Sequence, residues 1–200
     1  MELERVDAAV LEQSRQLEPR TLSSPSSPPK REGFRGVPPG RREDTFDSFD
    51  LKRAPEMREA YEQCRQVSSG EAWCAFLLGG PGNGKTHLAI AAMGGVDNAQ
   101  FWKVPDFLAY LRSRIDTGDV EKTVETYRSD GFLLVLDDLG TENPTDWAHE
   151  QLYRILDSRS DQRAPTIITS NQPHTSIDER LRSRFREGYV ACGGKDQRGR

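Results

Sequence analysis

The sequence predicts an α/β fold, a mainly parallel sheet with helices over both of its faces. Three features predict it. Short runs that are apolar at nearly every position, at 72–78, 132–136 and 166–169, alternate with stretches of helical periodicity. Strands apolar on both faces need cover on both sides, which is how parallel sheets are built from strand–helix units. A glycine-rich octapeptide, 79–86, stands between the first of these runs and a helical stretch. Ligands of such sheets bind there, beyond the carboxyl ends of the strands.

The elements follow in order. Over residues 1–20, Val6, Ala9, Val10, Leu11 and Leu17 fall loosely at helical intervals, so a short helix is expected. Residues 21–44, TLSSPSSPPKREGFRGVPPGRRED, are proline, serine, glycine and charge, with almost nothing to bury. Such a segment does not recover its ordering entropy and is expected to be disordered. Residues 1–44 are thus read as an N-terminal arm, locally basic through Lys30, Arg31, Arg35, Arg41 and Arg42, and 45–200 as the folded core. Pro55 opens a helix with Met57, Ala60, Tyr61, Cys64 and Val67 on one face, and Ser69-Gly70 closes it. A strand over 72–78, a helix over 85–93 and a strand over 100–104 come next. A helix over 105–115 carries the stripe Phe107, Leu108, Leu111 and Ile115, and a second helix covers 120–128. The strand at 132–136 precedes a helix over 145–158 with Trp147, Leu152 and Ile155 inward. After the strand at 166–169, Ser176 and Glu179 have capping-box spacing at the start of a helix to 186, and 189–192 is a last short strand.

Composition bounds the function. Two hundred residues make one domain with something left over, and 34% hydrophobic against 30% charged residues means that part of the chain stays outside any core. No run reaches the ~20 apolar residues that cross a bilayer, and the acidic start lacks an apolar signal segment. Three widely spaced cysteines, Cys64, Cys74 and Cys192, offer neither a zinc knuckle nor a disulfide framework, so a reducing cytoplasm is the expected setting. A net charge of −4 excludes a wholesale basic coat for nucleic acid but not a local basic patch.

The strongest signal is Gly79-Gly80-Pro81-Gly82-Asn83-Gly84-Lys85-Thr86, which fits G-x-x-x-x-G-K-[ST] in the required strand–loop–helix context. Wrapping several backbone N–H groups around one anion requires a loop poor in Cβ atoms, and the following helix N-terminus adds partial positive charge. Residues Gly80 through Thr86, with His87, are therefore candidates to hold polyphosphate. Lys85 can reach the β and γ phosphates, and Thr86 is placed to ligate Mg2+. The strand at 132–136 ends in Asp137-Asp138: Asp137 suits the shell of the metal and Asp138 the polarising of an attacking water, with Glu142 a second candidate for that water. The strand at 166–169 runs into Ser170-Asn171, where a neutral amide could orient water beside the γ-phosphate. Asp178 to Arg186 is a basic helix with Arg180 and Arg184, and Arg182 and Arg186, as i,i+4 neighbours.

Together GGPGNGKT, LLVLDD, ITSN and LRSRF, in this order, resemble the AAA+ ATPases. TFDSFD ahead of the first helix, LDDLGTE, TSN and RLRSRFREG are similar to the DnaC/IstB-type clade of helicase loaders and transposition helper ATPases, over about residues 45–192. The resemblance implies a P-loop NTPase with a five-stranded parallel core, ATP with Mg2+, and homo-oligomeric assembly. It implies that Lys85 and Thr86 carry nucleotide and metal, Asp137 and Asp138 metal and hydrolysis, Asn171 the sensor 1 role and Arg184 the finger reaching a neighbouring subunit. Thr45 and Phe46 fall where the family's N-linker approaches the adenine. Two departures stand out: no helical lid with a sensor 2 arginine is readable, Arg198 and Arg200 being poor substitutes, and the N-terminal module is short and mostly linker-like, with only residues 1–20 available for the grip on a helicase that the resemblance implies.

The implied function is an ATP-hydrolysing loader of a replicative helicase, with single-stranded DNA as a possible further partner along Arg112, Arg114, Lys122 and Arg128. The alternative is an ATPase helper of a transposase. A small P-loop kinase would need a lid and an acceptor pocket, against which Asn171 and Arg184 argue. A scaffold that holds ATP without turnover is distinguished by measuring phosphate release.

Overall fold

The computed structural model describes residues 34–142, 145–194 and 196; the helix expected over 1–20 lies outside them. Among these residues the strands are β1 (Phe34–Arg35), β2 (Cys74–Leu78), β3 (Ala99–Lys103), β4 (Leu133–Asp137), β5 (Thr166–Ser170) and β6 (Tyr189–Ala191). All neighbouring strands pair in parallel, in the order β1-β3-β4-β5-β2-β6. The five longer strands form the parallel core that the sequence predicts. The two-residue β1 is an addition at the edge of β3, drawn from a segment expected to be disordered. Its partners are backbone groups, so no apolar run marks it. Gly36 follows at φ +86°, and a Cβ there would stand 1.9 Å from the Phe101 carbonyl oxygen. Only glycine permits that approach.

The helices are α1 (Arg58–Ser69), α2 (Lys85–Met93), α3 (Val104–Ser113), α4 (Val120–Arg128), α5 (Asp146–Asp161) and α6 (Glu179–Arg184). Every residue of β2, β4 and β5 is buried, as two-sided cover demands. Alternate residues feed two cores. Phe76, Leu134, Leu136 and Ile168 pack with Phe107, Leu111, Ile155 and Phe185 from α3, α5 and the end of α6. Ala75, Leu77, Val135 and Ile167 pack with Cys64 and Val67 of α1 and Leu88 and Ile90 of α2.

Helix boundaries differ from expectation where a side chain bonds the backbone. Asp178, not Ser176, caps α6: its Oδ1 accepts from the Arg180 N–H at 2.7 Å, while Ser176 ends a separate 3₁₀ turn. Helix α3 stops at Ser113, which leaves Ile115 46% exposed rather than in the apolar stripe. Helix α5 runs on to Asp161 because Arg159, fully buried, clamps its last turn. The guanidinium donates to the carbonyls of Tyr127, Ser129, Phe132 and Pro165 and to Thr166 Oγ1. This ties α5 to the amino ends of β4 and β5. Burial draws the group's pKa down to about 10, which leaves it charged at neutral pH.

Candidate nucleotide-binding site

The strand order sets the site. Strand β5 lies between β2, which runs into the glycine loop, and β4, which ends at the aspartates. The carboxyl end of β5 therefore delivers Asn171 between loop and acids. A cleft of about 440 Å³ opens there, with Lys85, Thr86, Asp138 and Asn171 on its wall.

The loop has the backbone that close wrapping requires. Gly82 and Gly84 sit at φ +77° and +102°, and a Cβ on Gly84 would meet Phe49 Cε2 at 2.5 Å. Gly84 also precedes α2, whose first N–H groups face the loop. The Lys85 ammonium, 4% exposed, donates to the carbonyls of Gly79 and Gly80, both at 2.7 Å, and to Asn83 Oδ1 at 3.0 Å. Asn83 lines the cleft and also braces the loop: its Nδ2 donates to the carbonyls of Cys192 and Gly193 at 3.3 and 3.2 Å, fixing the loop to the segment after β6.

On the acid side, Thr86 Oγ1 donates to Asp137 Oδ1 at 2.8 Å and Thr169 Oγ1 to the same atom at 2.7 Å. Burial pushes the Asp137 carboxyl above its ordinary range, Thr169 pulls it back, the Asp138 charge adds to the rise, and Thr86 and Arg41 oppose it. Asp138 has φ +62°, the left-handed region that Asp and Asn enter far more readily than longer or branched side chains. Its Oδ1 accepts from Asn171 Nδ2 at 2.7 Å, and its N–H donates to Thr169 Oγ1 at 3.0 Å. Thr169, which the sequence reading passed over, thus ties the two aspartates together. Glu142 does not line the cleft: its Oε2 accepts from the Gly140 N–H at 2.7 Å.

The segment before α1 closes the cleft on the side of α2. His87 Nε2 lies 2.8 Å from the Thr45 carbonyl oxygen and 3.2 Å from Ser48 Oγ, and Phe49 meets the His87 ring edge-on with centroids 5.2 Å apart. Arg41, Asp44, Ser48 and Phe49 line the wall, none of them named as a site residue from sequence. The TFDSFD run was the available signal. Phe46 packs instead against Tyr61, centroids 5.2 Å apart.

Arg184 stands on another surface. It pairs with Asp157 and, at 2.7 Å, with Asp161 Oδ1 on α5, beside Tyr153 and Arg180. Arg112 lies over the Trp147 ring at 5.1 Å and Arg114 over Tyr110 at 4.7 Å, while Arg128 pairs with Glu125. Arg198 and Arg200 fall outside the described residues.

Comparison with known proteins agrees with this geometry. The family described as IstB-like ATP binding protein matches residues 43–184. The chain belongs to that family. It is 31% identical over 160 residues to a chromosomal replication initiator protein DnaA of Campylobacter jejuni, and spans 74% of its own length but only 36% of that relative's. The fold of the family member superposes on a DnaC helicase loader with a TM-score of 0.60 at 25% identity, covering 78% of this chain and 98% of that one. It also superposes on DnaI with a TM-score of 0.64 at 20% identity, over 84% and 100% of the two chains. A DnaA bound to AMPPCP and single-stranded DNA gives 0.67 at 23% identity, over 80% and 52%. The chain is thus an AAA+ P-loop protein of the ATP-binding IstB/DnaC-like family, related to DnaA. Among the described residues no helix is long and apolar enough to cross a membrane.

Proposed function

We propose that this chain hydrolyses ATP with Mg2+ in the cleft above β5 and loads a replicative helicase. The observation that carries the hydrolytic reading is the hydrogen-bonded chain Thr86–Asp137–Thr169–Asp138–Asn171 beside Lys85. The residues present fit both groups. Gly82 and Gly84 allow amides to wrap a phosphate, and Thr86 Oγ1 and Asp137 Oδ1, 2.8 Å apart, are the oxygen donors a hard cation prefers. Bound there, the cation would offset charge between the β and γ phosphates. Lys85 exchanges its carbonyl partners for phosphate oxygens. Asp138, held by Asn171, would accept a hydrogen bond from the attacking water and take up its proton as the bond between terminal phosphate and ADP breaks.

The loader role rests on the likeness to the DnaC helicase loader over 98% of that chain. Assembly would use Arg184 as a finger toward a neighbouring copy's ATP, once Asp157 and Asp161 release it. Single-stranded DNA would run along Arg112, Arg114, Lys122 and Arg128. The IstB-like match over 43–184 favours one second reading, an ATPase helper of a transposase.

The test is a pull-down of the full chain in ATP and in ADP, with identification of what binds differentially, beside measured phosphate release. A replicative helicase captured in one nucleotide state supports the loader. A transposase in its place sinks it, and absence of phosphate release with any partner removes the hydrolytic reading.

A further inference from the structure

We propose that Arg41 contacts the terminal phosphate of the nucleotide from within the same subunit. The inference rests on the reading of the cleft as an ATP site. Its starting point is the anchoring of a segment that composition alone would leave disordered. Pairing of β1 with β3, the close approach of Gly36 to Phe101 and the burial of Val37, 6% exposed, fix the chain on the sheet edge. A 3₁₀ turn, Pro39–Arg41, then delivers Arg41 to the cleft wall that also holds Lys85, Thr86, Asp138 and Asn171. Those four are the residues read above as facing the terminal phosphate; Asp44, Ser48 and Phe49 share the same wall.

The guanidinium is held by an ion pair. Its Nη1 donates to Asp44 Oδ2 at 3.1 Å, and Asp44 Oδ1 lies 3.6 Å from His87 Nδ1, next to the loop. A guanidinium carries five N–H groups and the bond to Asp44 uses one, so its planar fork can take phosphate oxygens with Asp44 as a brace. The charge of Arg41 also reaches Asp137, where it opposes the rise caused chiefly by burial.

Charge balance calls for such a group. The cleft region holds the carboxylates Asp44, Asp50, Asp137 and Asp138, and a cation held by Thr86 and Asp137 would offset only part of their charge together with that of a triphosphate, which leaves room for a further cationic side chain. Arg184 is paired on another surface. Arg53 also lines the cleft, but its side chain is 82% exposed and paired with Asp50, so it is held far less firmly.

Calorimetric titration of the full chain with ATP and with ADP, each with Mg2+, tests the proposal on the parent, Arg41→Ala, Arg41→Lys and the neighbouring control Arg42→Ala. Arg41→Ala should weaken ATP about tenfold and ADP less than about twofold, and Arg41→Lys should restore part of the difference. Arg42→Ala should leave both affinities unchanged. Thermal unfolding without nucleotide should show all variants folded, because Arg41 is a partly exposed surface side chain. Equal weakening of ATP and ADP by Arg41→Ala, or no weakening of either, overturns the proposal and leaves Arg41 as a brace of the segment. A parent that takes up neither nucleotide overturns the ATP-site reading itself, and this proposal with it.

Discussion

Among the described residues, each end of the sheet buries one cation, and each cation donates to neutral oxygens. At the amino ends of β4 and β5, Arg159 donates to four carbonyls and a threonine hydroxyl. At the carboxyl ends, Lys85 donates to two carbonyls and an amide oxygen. The difference lies in what the partners do. Those of Arg159 come from the end of α4, the start of β4 and the lead into β5, and no ligand could take their place. The three acceptors named for Lys85 belong to its own loop, within six residues, and a phosphate can replace them. One buried charge fastens three segments; the other is held in readiness.

The largest expected effect therefore comes from the end away from the cleft. Arg159→Met strands several buried carbonyls, each a loss of about 1–3 kcal/mol, and should destabilise the fold by at least about 3 kcal/mol in urea unfolding. Lys85→Ala should do the reverse. Calorimetry should show ATP uptake weakened by about 100-fold or more, or lost, with the unfolding midpoint near that of the parent. If Lys85→Ala costs as much stability as Arg159→Met, the contrast between the two ends is wrong.

The same contrast explains what the sequence makes legible. Lys85 is readable because its loop, strand and helix are contiguous, and spacing alone carries the geometry. Asp137, Asp138 and Asn171 are readable because each ends an apolar run, and parallel strands bring their carboxyl ends together. Arg159 is not readable: its partners lie 6 to 32 residues away, and an arginine in the last turn of a helix reads as solvated. Strand β1 and Arg41 were hidden for a related reason. A strand of two residues held by backbone pairing and a glycine contact leaves no hydrophobic pattern. Thr169 looked like one more strand residue because its hydroxyl bridges two aspartates 31 and 32 positions earlier.

Within the carboxyl end, Asp138→Asn sharpens the comparison further. Asparagine tolerates φ +62°, so fold and ATP affinity should be retained while phosphate release falls about 100-fold. Hydrolysis at the parental rate would remove Asp138 from that role and leave its unusual backbone unexplained by function. A smaller loss, about tenfold, is expected for Thr169→Val, which keeps the shape of the strand but unties both aspartates.

The smallest effect separates the two ends by sign. The pKa of Asp137 is raised in the folded chain, chiefly by burial, so its ionised form opposes folding. A carboxyl with a raised folded pKa favours the folded state most below its unfolded value, and that contribution is lost as pH climbs through the folded value. Asp137→Asn keeps an oxygen for Thr86 and Thr169 and removes the charge. In metal-free buffer the variant should therefore melt at a higher temperature than the parent at pH 7, with the gap closing toward pH 4. The charge of Arg159 also carries a burial cost, seen in its pKa of about 10, but removing it breaks the clamp, so its loss destabilises at any pH where the protein folds. Should Asp137→Asn melt below the parent at neutral pH, this carboxylate is a fastening like Arg159, and the carboxyl end of the sheet carries no stability cost for its chemistry.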